Sequence, residues 1–184
     1  TPGILQGIRA ALAIKLKEKM GVEHIEKREK ELVEILLPGL KEIPKLHVLE
    51  DHVEDRLGII SFYVEDAHYN LIVKLLNDAF GYQVRGGCSC AGTYGHFLYD
   101  IDQETSKAIT DQIDKGDFST KPGWVRVSVH PTMTNEEVYG FIHAMKLIIK
   151  NIRHWEKDYV YDPKSNDYFY IHHRREDMDK IFRM

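Results

Sequence analysis

The chain has little cysteine. Only Cys88 and Cys90 occur among its 184 residues. One intervening residue is too little chain for a bridge between them to close useful loop entropy, so a disulfide framework is excluded and a reducing compartment is expected. No apolar run approaches the roughly 18 residues of a bilayer span, and the chain does not open on the basic, apolar and small-residue order of a secretory leader. Charge of one sign is not concentrated: 25 basic residues against 29 acidic ones give a formal net charge of −4. That balance argues against nucleic acid and anionic membranes as partners. The expectation is a soluble, cytoplasmic protein. No Gly-x-Gly-x-x-Gly or phosphate loop is present, and there is no internal repeat or low-complexity segment. What the chain does have is a 43% hydrophobic content over the length of one domain, enough to build a core.

Periodicity organises that hydrophobic content. Ile4, Leu5, Ile8, Ala11, Leu12, Leu16 and Met20 recur at spacings of three and four, which predicts an amphipathic helix ending at Gly21, with Thr1 and Pro2 as its cap and first turn. A second helix follows, with Ile25, Leu32, Ile35 and Leu36 inward and Pro38, Gly39 and Pro44 ending it. Strands are predicted at Leu46–Glu50 and Leu57–Val64, a helix over 67–80, and a short strand from Tyr82 to Arg85. Gly86–Gly95 holds four glycines and both cysteines and reads as a loop whose backbone can approach a ligand closely. A weak helix over 103–115 precedes a strand from Trp124 to His130, with Val125, Val127 and Val129 on one face and Arg126 and Ser128 on the other. Thr134 and Glu137 form a capping box for a strong helix carrying Val138, Phe141, Ile142, Met145, Ile148, Ile149 and Ile152. The tail from Asp158 to Ile171 suggests a tyrosine-rich hairpin. This order suits an α+β fold, a small and mainly antiparallel sheet covered by helices.

Three places could carry chemistry. Cys90 follows a strand on the glycine-rich loop, where a mobile nucleophile would be placed. A free thiol with a pKa of about 8.5 is mostly protonated at neutral pH, so it needs a cationic neighbour, and Arg85 is a candidate. The plain alternative is a small residue in a tight turn. Cys88, Cys90 and His96 could instead ligate zinc, although a C-x-C pair without a second pair is a weak metal pattern. Arg126 could grip a carboxylate through a bidentate pair with Ser128 assisting, or could be a surface arginine in an ion pair. The helix opened by Thr1 and Pro2 presents free N–H groups suited to a phosphate, as it also does to water. The histidines are scattered, His172, His173, Arg174 and Arg175 read as a solvated tail, and Tyr159, Tyr161, Tyr168 and Tyr170 read as packing residues of the hairpin.

Three segments occur in an order that narrows these options: Thr1-Pro2-Gly3-Ile4-Leu5-Gln6; Val84-Arg85-Gly86-Gly87-Cys88-Ser89-Cys90-Ala91-Gly92; and Trp124-Val125-Arg126-Val127-Ser128-Val129-His130 followed by Thr134-Asn135-Glu136-Glu137. Together they resemble the C-terminal part of class V aminotransferase-fold enzymes, the group of cysteine desulfurases and selenocysteine lyases, over roughly residues 1–152. The resemblance implies the C-terminal small domain of a fold-type I pyridoxal 5'-phosphate (PLP) enzyme, a homodimer in its full form. It implies that Thr1 reaches the cofactor phosphate of the partner subunit, that Cys90 attacks the sulfur or selenium of the substrate, and that Arg126 holds the substrate α-carboxylate. No protein metal ligand is implied. The substrate would be an amino acid such as cysteine or selenocysteine, and the partner a sulfur acceptor protein.

The family's Schiff-base lysine, its histidine stacked on the cofactor and its aspartate paired with the pyridine nitrogen lie upstream of the Thr1 motif. The resemblance therefore implies that residues 1–20 are the helix linking to a large domain, 21–152 the small domain and 153–184 a C-terminal extension, inactive without the rest. Desulfurases often carry histidines just before the catalytic cysteine, whereas Cys88 and Ser89 stand there in this chain. A class V aminotransferase or epimerase with an idle cysteine, and a noncatalytic metal- or protein-binding module, are the competing expectations.

Overall fold

In the computed structural model, residues 2–88 and 92–172 are described. Two helices open the chain, α1 (Ile4–Met20) and α2 (Val22–Lys41), joined by Gly21 alone. Gly21 has φ 83 and ψ 123, a conformation that a side chain would strain, and this permits the change of direction within one residue. No residue of α1 is buried. In α2 the inward face is Leu32, Val33, Leu36, Leu37 and Leu40, while Ile25 and Ile35 are half-buried. Pro38 does not end α2 as expected; the helix runs three residues further, and the Pro38 carbonyl accepts from Glu42 N–H at 3.1 Å. Proline lacks only its own donor, so its carbonyl remains available to the last turn.

Next come β1 (Leu46–Val48), β2 (Ile59–Val64), α3 (Tyr69–Phe80), β3 (Arg85–Gly87), α4 (Gly92–Leu98), α5 (Gln103–Ile113), β4 (Trp124–Ser128) and α6 (Asn135–Trp155). The first four strands form one antiparallel sheet in the order β1-β2-β4-β3. Its inner face, Ile60, Phe62 and Val64 of β2 with Val125 and Val127 of β4, is buried against α2, α3 and α6. Each such fully buried aliphatic or aromatic side chain is worth roughly 1.5–3 kcal/mol. The expected α+β sandwich is therefore the fold. α6 is started by the expected capping box: Glu137 N–H donates to Thr134 Oγ1 at 3.2 Å, and Glu137 Oε2 accepts from Thr134 N–H at 2.7 Å.

Several expected boundaries move: α1 starts at Ile4 with Gly3 as its cap rather than with Pro2 in its first turn, and the strands expected over 46–50, 57–64 and 124–130 are Leu46–Val48, Ile59–Val64 and Trp124–Ser128. The short strand is 85–87, not 82–85, and the glycine-rich segment divides between β3 and the start of α4. Glycine is a poor strand former, which hides β3 from sequence patterning. Its presence at position 86 has a steric reason: a Cβ there would lie 2.5 Å from Asn70 Oδ1 and 3.0 Å from Tyr69 Cδ2. Tyr82 is drawn away from the sheet, donating to the Glu137 carbonyl at 3.0 Å and meeting Phe141 edge-on. A separate hairpin, β5 (Tyr159–Asp162) with β6 (Asp167–Tyr170), closes the described chain as the tyrosine pattern suggested.

Candidate active site

With the helices on one side, the opposite face of the sheet is left to carry chemistry. Alternation along β4 puts Trp124, Arg126 and Ser128 on that face. Trp124 is buried even so, because α4 passes over it: a Cβ at Gly95 would lie 3.1 Å from the indole ring. Tyr99, just after α4, donates to the Gly123 carbonyl at 2.8 Å and pins that cover to the entry of β4. Burial pushes the Tyr99 hydroxyl well above the ordinary phenol range, so it stays a donor. The face thus grades from closed at Trp124, through half-buried Arg126, to exposed Ser128 and Ile59.

Arg126 lies directly opposite Arg85 of β3 on one side and Ser61 of β2 on the other. Like charges placed opposite each other across strands repel. Among the described residues neither guanidinium takes part in an ion pair; the pairs there involve Arg28, Lys30, Lys41, His47, His52, Lys74 and Arg153. The Arg126 Nε is buried without a hydrogen-bond partner. A buried donor of this kind is costly unless something accepts from it, so the pair suits an anion with two oxygens to offer.

The glycine-rich segment leaves the sheet at the same edge. Gly87, with φ 105, pairs with Trp124, two residues from Arg126 along β4, and Cys88 follows at once. Cys88 packs near the site of the missing Gly95 side chain, its Cβ 3.7 Å from where a Cβ would stand there. Cys90 and Thr1 lie outside the described residues. Of the three candidate site residues, Arg126 is therefore placed, together with the point at which the chain sets out toward Cys90. His96, considered as a zinc ligand, has its Nδ1 2.6 Å from Ser106 Oγ, a contact that fastens α4 to α5. Among the described residues no group of three or more histidine, cysteine, aspartate or glutamate side chains converges as a metal site.

An aromatic row that sequence reading did not single out borders the arginines. His47 stacks on Tyr63 with centroids 5.0 Å apart, Tyr63 meets Tyr99 at 5.2 Å, and Tyr99 reaches Trp124 at 6.5 Å. Strand alternation placed Tyr63 on this face, but Tyr99 lies outside any strand and left no periodic signal. No described helix is long and apolar enough to cross a membrane.

The architecture defines an α+β sandwich with an anion-competent arginine pair on the sheet face opposite α2, α3 and α6. Comparison with known proteins then supplies the family. The class-V aminotransferase profile matches residues 1–141, and the chain belongs to that family. A probable cysteine desulfurase of Pyrococcus abyssi is 29% identical over 153 residues, covering 83% of this chain and 33% of that protein. A probable cysteine desulfurase of Halalkalibacterium halodurans is 36% identical over 91 residues, 50% of this chain and 22% of that protein. Among solved structures, the apo cysteine desulfurase of Thermococcus onnurineus superposes with a TM-score of 0.58 at 25% identity, over 82% of this chain and 32% of that one. The chain thus spans no more than about a third of the length of these relatives.

Proposed function

We propose that the chain is the C-terminal part of a PLP-dependent cysteine desulfurase or selenocysteine lyase-like enzyme, in which residues 1–20 link to a large domain, 21–152 form the small domain and 153–184 extend it. The observation that carries this reading is the Arg85–Arg126 pair, unneutralised among the described residues and with a buried Nε that none of them accepts from, beside the strand end from which the Cys90 segment departs. The family relationship and the names of the relatives support the substrate class.

In this reading Arg126 holds the α-carboxylate of the amino acid, and Arg85 adds positive potential beside it, favouring the thiolate of Cys90. PLP, when bound, supplies the electron sink that makes the substrate's carbon–sulfur bond labile. The Cys90 thiolate attacks the substrate sulfur; a sulfur–sulfur bond forms as the carbon–sulfur bond breaks, and a proton completes the carbon, so that cysteine leaves as alanine and Cys90 carries the sulfur. A selenium substrate would follow the same course. The described residues fit the substrate's anion better than they fit the cofactor; toward PLP this chain would offer Thr1, at the phosphate of the partner subunit in a homodimer. Turnover would require the part of the enzyme that this chain does not span, the setting would be cytoplasmic, and an acceptor protein would relieve Cys90 of its sulfur.

The test uses the full-length enzyme. Cys90→Ala should abolish sulfide release from cysteine, and undiminished release would overturn the nucleophile. Arg126→Ala should lower kcat/KM by about tenfold to a hundredfold, mainly through KM, the loss of a charge-assisted bond. Unchanged kinetics would remove the carboxylate role. Amino-group transfer to a keto acid without sulfur release would favour an aminotransferase, and stoichiometric zinc lost on Cys88→Ser would favour the noncatalytic module.

A further inference from the structure

The hairpin after α6 reaches back to the edge of the sheet where the candidate site begins, through one side chain. Asn166 sits in the β5–β6 turn with φ 55, a left-handed position that asparagine tolerates well. Its Nδ2 donates to Tyr69 Oη at 2.6 Å, and its Oδ1 accepts from Tyr161 Oη at 2.9 Å. Its carbonyl accepts from Asn70 Nδ2. Tyr69 and Asn70, the first two residues of α3, are therefore held by the same turn residue.

Those two residues of α3, with Val73 one turn further on, touch the glycines of the sheet edge. The Tyr69 ring, only 6% exposed, stands where a Cβ on Gly123 would come within 2.7 Å of its Cζ, and a Cβ on Gly86 within 3.0 Å of its Cδ2. Asn70 Oδ1 closes the other side of Gly86. Gly86 and Gly87 are the last residues of the sheet before Cys88, and Gly123 is the last before β4. The ring is a wedge between the exit of one strand and the entry of the other. The same turn is tied to the approach to β4 a second time, where Phe118 N–H donates to the Pro163 carbonyl at 3.0 Å.

We propose that Asn166 is a positioning residue: acting through Tyr69 and Asn70, it fixes the Gly86–Cys88 exit relative to the Gly123 entry, and with it the approach of the thiol-bearing segment to Arg126. As a claim about catalysis it rests on the function proposed above. β4 is held independently by β2 along its other edge, so loosening the wedge should displace the thiol segment more than Arg126.

The test is made on the full-length enzyme with two readouts, one of which needs no turnover. Asn166→Gly keeps the left-handed backbone and deletes the side chain. It should raise the rate of Cys88 and Cys90 alkylation by iodoacetamide, followed by peptide mass, at least about threefold. It should lower kcat for sulfide release about tenfold, because a small misplacement of a nucleophile is felt in the chemical step. KM for cysteine should stay within about twofold. Asn166→Asp, whose carboxylate keeps the acceptor for Tyr161 Oη and takes a hydrogen bond from Tyr69 Oη in place of the lost amide donor, should bring both readouts back toward wild type. Phe169→Ser, on the exposed side of the hairpin, should leave them unchanged. Tyr69→Phe, which keeps the ring and loses the hydroxyl, should reproduce Asn166→Gly, and stands in for it should the glycine variant not fold. Alkylation rates equal to wild type in Asn166→Gly or its stand-in overturn the positioning role while leaving desulfuration intact. Altered alkylation in an enzyme that releases no sulfide from cysteine upholds the wedge and overturns the function proposed for it.

Discussion

The first helix and the last hairpin of the described residues meet the body of the protein in opposite ways. α1 is rich in apolar residues, spread round the helix rather than gathered on one face, and buries none of them: Leu5 is 73% exposed, Leu12 61% and Ile14 60%. The hairpin is polar and aromatic, with Val160 and Phe169 exposed, yet it is docked by the Asn166 bonds, by the Lys74–Asp167 ion pair at 3.3 Å and by the Phe118–Pro163 backbone bond. An apolar face becomes core only when another face is present to meet it, whereas a few directional bonds to a rigid helix end can seat a short element. The sharpest way to break the contrast is to truncate one side chain at each end. Tyr69→Ala should cost about 3–5 kcal/mol in denaturant unfolding, since it empties the wedge and strips Asn166 of its acceptor. Leu12→Ala should change stability by no more than about 0.5 kcal/mol. Equal costs would mean that α1 is packed.

A second measurement raises the stability of the loose end instead of lowering that of the tight one. Gly7 lies in the middle of α1, and a Cβ there would meet nothing within 4 Å. Gly7→Ala should therefore add about 0.5–1 kcal/mol to the helix through backbone entropy alone, read as higher ellipticity and slower amide exchange over residues 4–20. A loss of helicity would show that a partner face crowds that position. At the docked end, Lys74→Met removes one half of an ion pair whose side chains are both about one-third exposed. Solvent screens such a pair, so the loss should be roughly 0.2–1 kcal/mol and should shrink further in high salt.

Which parts were legible in the sequence follows from the same contrast. Local signals carried α6, whose Thr134 and Glu137 cap is written in two residues, and β4, whose valines alternate. The outward placement of Arg126 was readable for the same reason, because a period of two fixes the face once the strand is known. β3 was not readable, since Gly86 is there for the sake of Tyr69 and Asn70, residues far away along the chain. The extra three residues of α2 beyond Pro38 and the buried state of Trp124 under α4 are likewise tertiary effects. The aromatic row from His47 to Trp124 gathers residues from four separate segments, and no window of sequence contains it.

The smallest expected effect isolates a histidine at the hairpin dock. His68 caps α3: its Nδ1 accepts from Asn70 N–H at 3.1 Å, which puts the ring proton on Nε2. The ring stacks on Tyr69 at 4.4 Å and lies under Tyr161 and Tyr168 at 5.0 and 5.5 Å. Nε2 is buried without a partner at bonding geometry. Burial lowers the His68 pKa, and the nearby Asn166 amide offsets this only in part. Folding thus favours the neutral imidazole. The contribution is complete above the unfolded value of about 6.5 and is lost as pH falls from there through the folded value. Protonation also places a hydrogen on Nδ1, where the Asn70 N–H already points, so acid removes the cap and loosens the dock together. Amide protection factors over residues 159–170 should fall between pH 7.5 and 5, while those of α1, which contains no histidine, serve as the internal reference. His68→Asn keeps a capping side chain and removes the titration. If its hairpin still loosens in acid, the sensitivity belongs to another group and the neutral His68 is not what holds the turn against α3.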